Sequence, residues 1–333
     1  MTALDRRQFN RSLLAVPAAA LLGTGLGALA PAAASAAPAD WNAHLLAGQA
    51  NGELMHQTRA GDGTWKPRWT EVDTASGTLY YMSSAGIAKD LHVVASINGE
   101  PPKHCFRSGT DGSWTAFGLI PSLSGPTGAA QVAVTSLDDK LHVFAASGTG
   151  LYHTVRNVDG SWWASWKLLR TFASISHIAT TRVGTTIDTA VVTNGEILHA
   201  IRSSGGTWTG WGNVESGAGE IGAISRVALA GIGSQLQVVA LTGSGDLYHA
   251  IRKADATWQQ FKRMTAFANY TPIAIGAANV GGETQVAVID LTATSQVIRH
   301  TIRSADGTWQ PIRTVPATGL TANPGDLALT GTR

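Results

Sequence analysis

The stretch LYHAIRKADATW, residues 247–258, recurs in altered form along the chain and decides its fold. In this copy Arg252 follows His249 by three positions, and Trp258 closes the stretch. Five further copies are LMHQTRAGDGTW (54–65), KHCFRSGTDGSW (103–114), LYHTVRNVDGSW (151–162), LHAIRSSGGTW (198–208) and IRHTIRSADGTW (298–309). The chain therefore contains six repeats of one unit.

Three residue types hold their places in every repeat, and successive histidines lie 46 to 51 residues apart. The motif histidines are His56, His104, His153, His199, His249 and His300. The motif arginines are Arg59, Arg107, Arg156, Arg202, Arg252 and Arg303. The motif tryptophans are Trp65, Trp114, Trp162, Trp208, Trp258 and Trp309. Six matches at three positions define a repeat of about 49 residues.

Each repeat has the pattern of four short strands. Apolar and polar residues alternate from Leu247 to Arg252, which is the period of a strand with one buried face. An aspartate–glycine turn signal follows in four copies, and a second aromatic run completes a hairpin. Two more apolar runs precede the hairpin, such as AAQVAVTSL and KLHVFAAS before the third copy. Repeated four-stranded units of this length are typical of β-propeller blades.

The two ends of the repeat region complement each other. DWNAHLLAG, residues 40–48, matches the second strand of a unit, and GDLALTGTR, residues 325–333, matches the first. The sequence therefore predicts an all-β, six-bladed propeller of four-stranded blades over residues 41–333. We expect the C-terminal strand to pair into blade one and close the ring. An open solenoid is the alternative, but it would expose strand edges that closure covers.

Residues 1–39 have the composition of an export signal. The pair Arg6 and Arg7 precedes an apolar run from Leu13 to Ala30 and a segment of small residues suited to cleavage. DRRQFN resembles the twin-arginine export motif. We therefore expect a signal peptide of that type and a secreted, extracellular protein exported in the folded state. A general secretory signal and an uncleaved membrane anchor are the alternatives.

Charge and cysteine content exclude several classes of partner. The chain has 24 basic and 22 acidic residues, of which three arginines and Asp5 belong to the leader, leaving 21 of each sign. No basic stripe remains for a phosphate backbone, so we expect no nucleic-acid partner. We also expect that the mature protein does not associate with a membrane. With Cys105 as the one cysteine, no intrachain disulfide and no cysteine-based metal site can form, and we expect no cofactor.

A second set of polar residues precedes each motif histidine by 11 to 15 positions, on the second strand of the unit. In chain order these residues are His44, His92, His142, Asp188, Gln237 and Gln285. Three histidines suggest a metal site, but the innermost strands line a propeller channel and these lie one strand further out. We therefore predict no metal site.

The motif residues have a structural and a binding interpretation. In a strand, residues three apart face opposite ways, so His249 and Arg252 face different neighbouring blades. Structurally, the histidines would form hydrogen bonds, the tryptophans would fill the blade junctions, and the arginines would pair with the turn aspartates Asp62, Asp159, Asp255 and Asp306. For binding, an aromatic plate with fixed donors and acceptors is what a sugar needs. We expect ligand sites at the junctions, built from all 18 motif residues.

The repeat LYHAIRKADATW and its five relatives resemble the blades of propeller lectins over residues 41–333: tachylectin-like proteins, fucose-binding six-bladed lectins and bangle lectins. In such lectins, ligands lie between neighbouring blades against a tryptophan and polar residues of adjacent hairpins. The resemblance implies multivalent binding of neutral glycans or cell-surface polysaccharide. The fucose-binding lectins use an arginine–glutamate pair with an aromatic residue, and no glutamate recurs after the arginines here.

Two other classes remain open. A secreted propeller glycoside hydrolase or polysaccharide lyase would need one asymmetric site, with two carboxylates or a carboxylate and a tyrosine. The residues that break the repeat are Asp188, Glu196, Glu220, Glu283, Asp290, His177, Tyr80, Tyr81 and Tyr270. They form no catalytic motif, so we predict no catalytic residues. A protein-binding scaffold would instead use loop residues that differ between blades.

Overall fold

The computed structural model describes residues 40–72, 77–121, 124–128 and 130–333, and these form six antiparallel sheets of four strands. The expected signal peptide, residues 1–39, lies outside the described residues. Within the described ranges, no helix has the length and apolar character needed to cross a membrane.

The strands follow the chain in the predicted order. Blade one uses β1 (Asn42–Gln49), β2 (Leu54–Arg59) and β3 (Thr70–Glu71). Blade two consists of β4 (Leu79–Ile87), β5 (Asp90–Ile97), β6 (Lys103–Arg107) and β7 (Gly118–Leu119). Blade three consists of β8 (Gln131–Leu137), β9 (Lys140–Ser147), β10 (Gly150–Arg156) and β11 (Lys167–Thr171).

The second half of the chain repeats this arrangement. Blade four consists of β12 (His177–Val183), β13 (Thr186–Thr193), β14 (Glu196–Arg202) and β15 (Gly212–Asn213), followed by α1 (Glu215–Ala218). Blade five consists of β16 (Ile224–Ile232), β17 (Gln235–Thr242), β18 (Leu247–Arg252) and β19 (Trp258–Arg263), followed by a 3₁₀ turn (Thr265–Phe267). Blade six consists of β20 (Pro272–Val280), β21 (Glu283–Leu291), β22 (Gln296–Arg303) and β23 (Arg313–Thr314), and the chain ends with β24 (Pro324–Thr332).

The C-terminal strand closes the ring as the sequence predicts. β24 pairs antiparallel with β1, with Leu329 opposite Leu45, and supplies the innermost strand of blade one. The six innermost strands β24, β4, β8, β12, β16 and β20 each contact the next around the ring. The predicted six-bladed propeller is therefore confirmed.

The apolar core lies in wedges between neighbouring blades. One wedge combines Ala190 and Ile197 of blade four with Val227 and Val238 of blade five, all at most 1% exposed. Five comparable wedges fill the other junctions. Burying one valine or leucine contributes about 1.5–3 kcal/mol, so the wedges hold the blades together. Cys105 is fully buried in one of them, and burial raises the pKa of its thiol.

The innermost strands surround a channel that departs from the six-fold pattern. A cavity of about 590 Å³ at one mouth adjoins a narrower one of about 100 Å³. His177, the histidine outside the repeat, lies here, and its Nδ1 accepts the backbone N–H of Val227 at 3.4 Å. Arg226 of blade five and Asp326 of blade one form an ion pair at 3.5 Å. Burial raises the pKa of Asp326 to about 6.

Candidate binding sites at the blade junctions

Each motif histidine is held by a hydrogen bond within its own blade. Five of the six rings are buried, and His104 is half-buried. In blades one to three the partner is a second-strand histidine: His44–His56 at 2.9 Å, His92–His104 at 2.9 Å and His142–His153 at 3.1 Å. In blades four to six the partner is an oxygen of an aspartate or glutamine side chain: His199–Asp188 at 2.7 Å, His249–Gln237 at 2.9 Å and His300–Gln285 at 2.9 Å. The second-strand residues singled out from the sequence are thus structural partners.

Five of the six motif histidine rings are held neutral by burial. Loss of solvent lowers the pKa of His104, His249 and His300 to about 3, and that of His56 and His153 well below its usual value. A buried charge is costly unless it is paired, so these imidazoles stay uncharged at neutral pH. With a glutamine oxygen as partner, the Nε2–H of His249 donates and its ring orientation is fixed.

The tryptophan of each blade lies edge-on against the motif histidine of the preceding blade. The ring centroids are 5.3 to 6.4 Å apart and the ring planes cross at 76 to 89°. The pairs are His56–Trp114, His104–Trp162, His153–Trp208, His199–Trp258, His249–Trp309 and His300–Trp65. Such T-shaped contacts contribute about 0.5–1.5 kcal/mol beyond area burial. All six tryptophans are half-buried, so each keeps part of its indole at the surface.

The motif arginines complete the same junctions from the tryptophan side. The positive charge of Arg107 lowers the pKa of His56, and Arg59, Arg156, Arg202 and Arg303 act in the same way on the preceding blade. The guanidinium also lies over the glycine of its own hairpin turn. At Gly63, Gly112, Gly160, Gly206 and Gly307, an added Cβ would lie 2.5–3.1 Å from the arginine Nη2.

The sequence did not reveal this use of the turn glycine. These glycines have φ of 78–90°, a conformation that favours glycine, and the missing Cβ leaves room for the arginine. The recurrence of glycine four or five positions after five of the six arginines was the available signal. The same glycines therefore shape both the turn and the position of the guanidinium.

The turn aspartates are bonded mainly to their own turns. Oδ1 of Asp62 accepts the backbone N–H of Thr64 at 2.8 Å, and Asp159, Asp255 and Asp306 make the same bond at 2.9 Å. For Asp62 and Asp159, these bonds lower the carboxyl pKa more than the nearby arginine does. The attraction between the turn aspartates Asp62 and Asp159 and the motif arginines is therefore weaker than their hydrogen bonds within the turn.

Each junction thus combines a tryptophan and an arginine of one blade with a buried histidine of the blade before it. The sequence-predicted residues lie together at the junctions, but in unequal positions. The histidine supports the indole from below, and the indole and guanidinium are the groups that can meet a ligand. The cavities of about 590, 100 and 440 Å³ are not lined by the motif tryptophans.

The junctions are not equally open. At the junction of blades four and five, α1 approaches Trp258 so closely that a Cβ on Gly217 would lie 2.5 Å from its Cδ1. At the junction of blades three and four, Trp208 instead has a second half-buried indole beside it. Trp211 stacks parallel to Trp208, with centroids 6.3 Å apart and planes at 13°. Trp211 lies outside the repeated motif.

Two of the carboxylates considered for catalysis have structural partners. Asp188 bonds to His199, and the buried Asp290 accepts the backbone N–H of Thr271 at 2.8 Å and Arg299 Nε at 3.2 Å. Among the described residues, no group of three or more histidine, cysteine, aspartate or glutamate side chains is placed to hold a metal ion. The repeated junctions therefore remain the most developed sites of the molecule.

Comparison with known proteins defines the class to which this fold belongs. No family model and no curated protein matches the chain. Among solved structures, the BP39L lectin of Burkholderia pseudomallei shares 17% identity over 88% of this chain and 86% of its own, with a TM-score of 0.57. The Aleuria aurantia lectin, solved with Fucα1-6GlcNAc, shares 15% identity over 84% and 94% of the two chains, also at 0.57.

The structural likeness extends to a protein that is not named as a lectin. TolB of Acinetobacter baumannii shares 13% identity over 88% of this chain and 68% of its own, with a TM-score of 0.54. At these identities the comparisons show the fold alone. They confirm the resemblance to six-bladed propeller lectins at the level of architecture.

Proposed function

We propose that this protein is a lectin-like, multivalent carbohydrate-binding propeller whose sites are the blade junctions. The observation that carries the proposal is the sixfold repetition of one constellation: a part-exposed tryptophan beside an arginine, packed on a motif histidine of the preceding blade. Packing alone would not require an arginine at each junction, because the wedges below are already filled by apolar residues.

The chemistry of the junction suits a sugar. An indole presents a flat apolar surface to the C–H face of a pyranose, and a guanidinium offers several fixed donors to its hydroxyl oxygens. The supporting imidazole is neutral and fixed by its hydrogen bond, so the indole is preorganised. Neutral glycans fit most junctions, because turn carboxylates lie near the arginines.

Repetition would turn weak single sites into useful affinity. Several sites on one rigid ring raise the effective concentration of each after the first has bound, so avidity can exceed single-site affinity by about 10²–10⁴. A surface that carries many copies of one glycan is the matching partner. The twin-arginine signal expected at residues 1–39 would deliver the folded protein outside the cell, where such surfaces lie.

A glycan array with the purified protein tests the proposal, followed by calorimetry on the best ligand. We expect binding with more than one ligand per chain, and weaker avidity in Trp162→Ala and Trp309→Ala. Tyr80→Ala is the matched control, because Tyr80 is 49% exposed and lies outside the motif. A stoichiometry near one, or unchanged binding in both tryptophan variants, would contradict the proposal. Polysaccharide cleavage without array binding would favour the enzyme alternative instead.

A further inference from the structure

The junction of blades three and four differs from the other five in its charge. Every other motif turn carries an aspartate before its φ-positive residue, whereas blade four has Gly205 at that place, in SSGGTW. Arg202, the motif arginine of blade four, therefore lacks the turn carboxylate. Its guanidinium donates from Nη1 to the backbone oxygen of Ser203 at 3.3 Å.

Three of the other motif arginines have carboxylates within electrostatic range. Asp62 and Glu283 act on Arg59, Asp111 acts on Arg107, and Asp306 acts on Arg303, each raising the arginine pKa against the effect of burial. For Arg202, burial alone accounts for the direction of its pKa shift, which is downward. Its positive charge is thus the least compensated of the four.

The facing surface of blade three adds further positive charge. Burial lowers the pKa of His142 to about 3, and the charges that add to this effect are those of Arg202 and Lys140. For His153 they include Arg202 and Lys167. The exposed Asp138 and Asp139 precede Lys140 in its turn, but Asp139 lines the mouth of the central channel. The cations of this junction are therefore arranged around a neutral histidine pair.

The same junction has a second tryptophan beside its motif tryptophan. Trp208 lies edge-on to His153 and also to Phe144, with centroids 6.4 and 5.9 Å apart. Its parallel neighbour Trp211 is braced edge-on by Phe172 at 5.1 Å. Two half-buried parallel indoles therefore lie at this junction, and Arg202 belongs to the same hairpin as both.

We propose that the junction of blades three and four binds acidic sugars, with the pyranose on Trp208 and Trp211 and its anionic group on Arg202. Charge-assisted bonds from a guanidinium to a carboxylate or sulfate are about twice as strong as neutral ones, and a planar carboxylate can accept two at once. The inference rests on the proposed function, since it assigns a ligand class to one of its junctions.

The sequence of the other blades supplies the test. Gly205→Asp restores the turn aspartate found in the other five copies. An added Cβ at Gly205 would meet only Ser203 Oγ, at the ordinary distance of 3.7 Å, so the variant should fold. Gly205→Asn is the matched control, because it has the same shape without the charge. Arg202→Gln is a second variant that removes the cation itself.

Calorimetry would use three oligosaccharides of equal length: one neutral, one of hexuronates and one sulfated. We expect the original protein to prefer an acidic ligand, with binding that weakens as salt is added. In Gly205→Asp and Arg202→Gln this affinity should fall roughly tenfold, a change of about 1.4 kcal/mol. Gly205→Asn should keep it. Preference for the hexuronate would identify a carboxylate ligand, and preference for the sulfated sugar a sulfate.

Three results would overturn the inference. The first is equal affinity for neutral and acidic ligands in the original protein. The second is an equal loss in Gly205→Asp and Gly205→Asn, which would make the effect steric. The third is binding to none of the three, which together with a silent glycan array would remove the proposed function as well. Neutral binding without acidic preference would leave the proposed function standing.

Discussion

Trp65 of blade one lies edge-on against His300 of blade six, with ring centroids 5.3 Å apart and planes at 88°. This contact has the same geometry as the five between blades that are consecutive in sequence. The junction between blades six and one therefore matches the others, although its two sides come from opposite ends of the chain. Pairing of β24 with β1 is what brings them together.

Ending the chain at Asn323 would remove β24 and open the ring. We expect the shortened protein to lose cooperative unfolding and to associate, because β1 would expose a full row of unpaired backbone groups. Circular dichroism and gel filtration would show this. A synthetic peptide of residues 324–333, added in excess, should restore a monomeric fold by strand addition. A shortened chain that stays monomeric and unfolds cooperatively would show that closure is dispensable.

Acid should unfold the protein steeply. Nine of the ten histidines have a pKa lowered by burial, so the unfolded chain binds their protons more readily than the folded one. Their contribution is complete above pH 6.5 and is lost as the pH falls toward about 3. Each of these histidines adds up to about 1.4 kcal/mol per pH unit to the slope of the unfolding free energy against pH. Asp326, with a pKa raised to about 6, opposes this: its contribution is present below pH 3.8 and lost as pH rises through 6.

Urea unfolding at pH 7, 6 and 5 would measure the effect. His92→Gln is the informative variant, because blades five and six use Gln237 and Gln285 at that place to hold the motif histidine. We expect it to fold at pH 7 and to reduce the pH slope by about one proton. Equal unfolding free energies at pH 5 and 7 would contradict the burial of neutral imidazoles.

Ala256→Gly should stabilise blade five. Ala256 has φ of 69°, at a place where the other five motif turns have glycine. A non-glycine residue in this conformation costs roughly 1–2 kcal/mol, so we expect a gain of about 1 kcal/mol. The converse variant, Gly307→Ala, should lose stability, because its Cβ would lie 2.8 Å from Arg303 Nη2. Thermal unfolding of both variants gives the comparison, and changes of equal sign would refute it.

The buried pair of Asp188 and His199 should tolerate one replacement and not another. Their side chains are 2% and 9% exposed and bond at 2.7 Å. Asp188→Ala leaves a buried imidazole without its partner, and we expect a loss of about 3 kcal/mol. Asp188→Gln copies blades five and six and should cost under about 1.5 kcal/mol. Urea unfolding at pH 7 would measure both, and equal losses would mean that the hydrogen bond contributes little.

The repeated part of the structure could be predicted from sequence, because repetition averages out the ambiguity of any single strand. Six copies fixed the blade count, the closing strand and the junction residues. The departures from symmetry could not be predicted in this way. The ion pair of Arg226 with Asp326 spans two blades that are not adjacent, and the cover of α1 on Trp258 depends on a helix of four residues. Such contacts depend on where chain segments meet in space, which no local pattern records.

The position of β24 also has a consequence for synthesis. Blade one needs residues 324–332, so it cannot be completed before those residues have been synthesised. At about 5–20 residues per second, β1 keeps an unpaired edge for many seconds after its own synthesis. The nascent protein is therefore vulnerable to aggregation at β1 until β24 pairs with it.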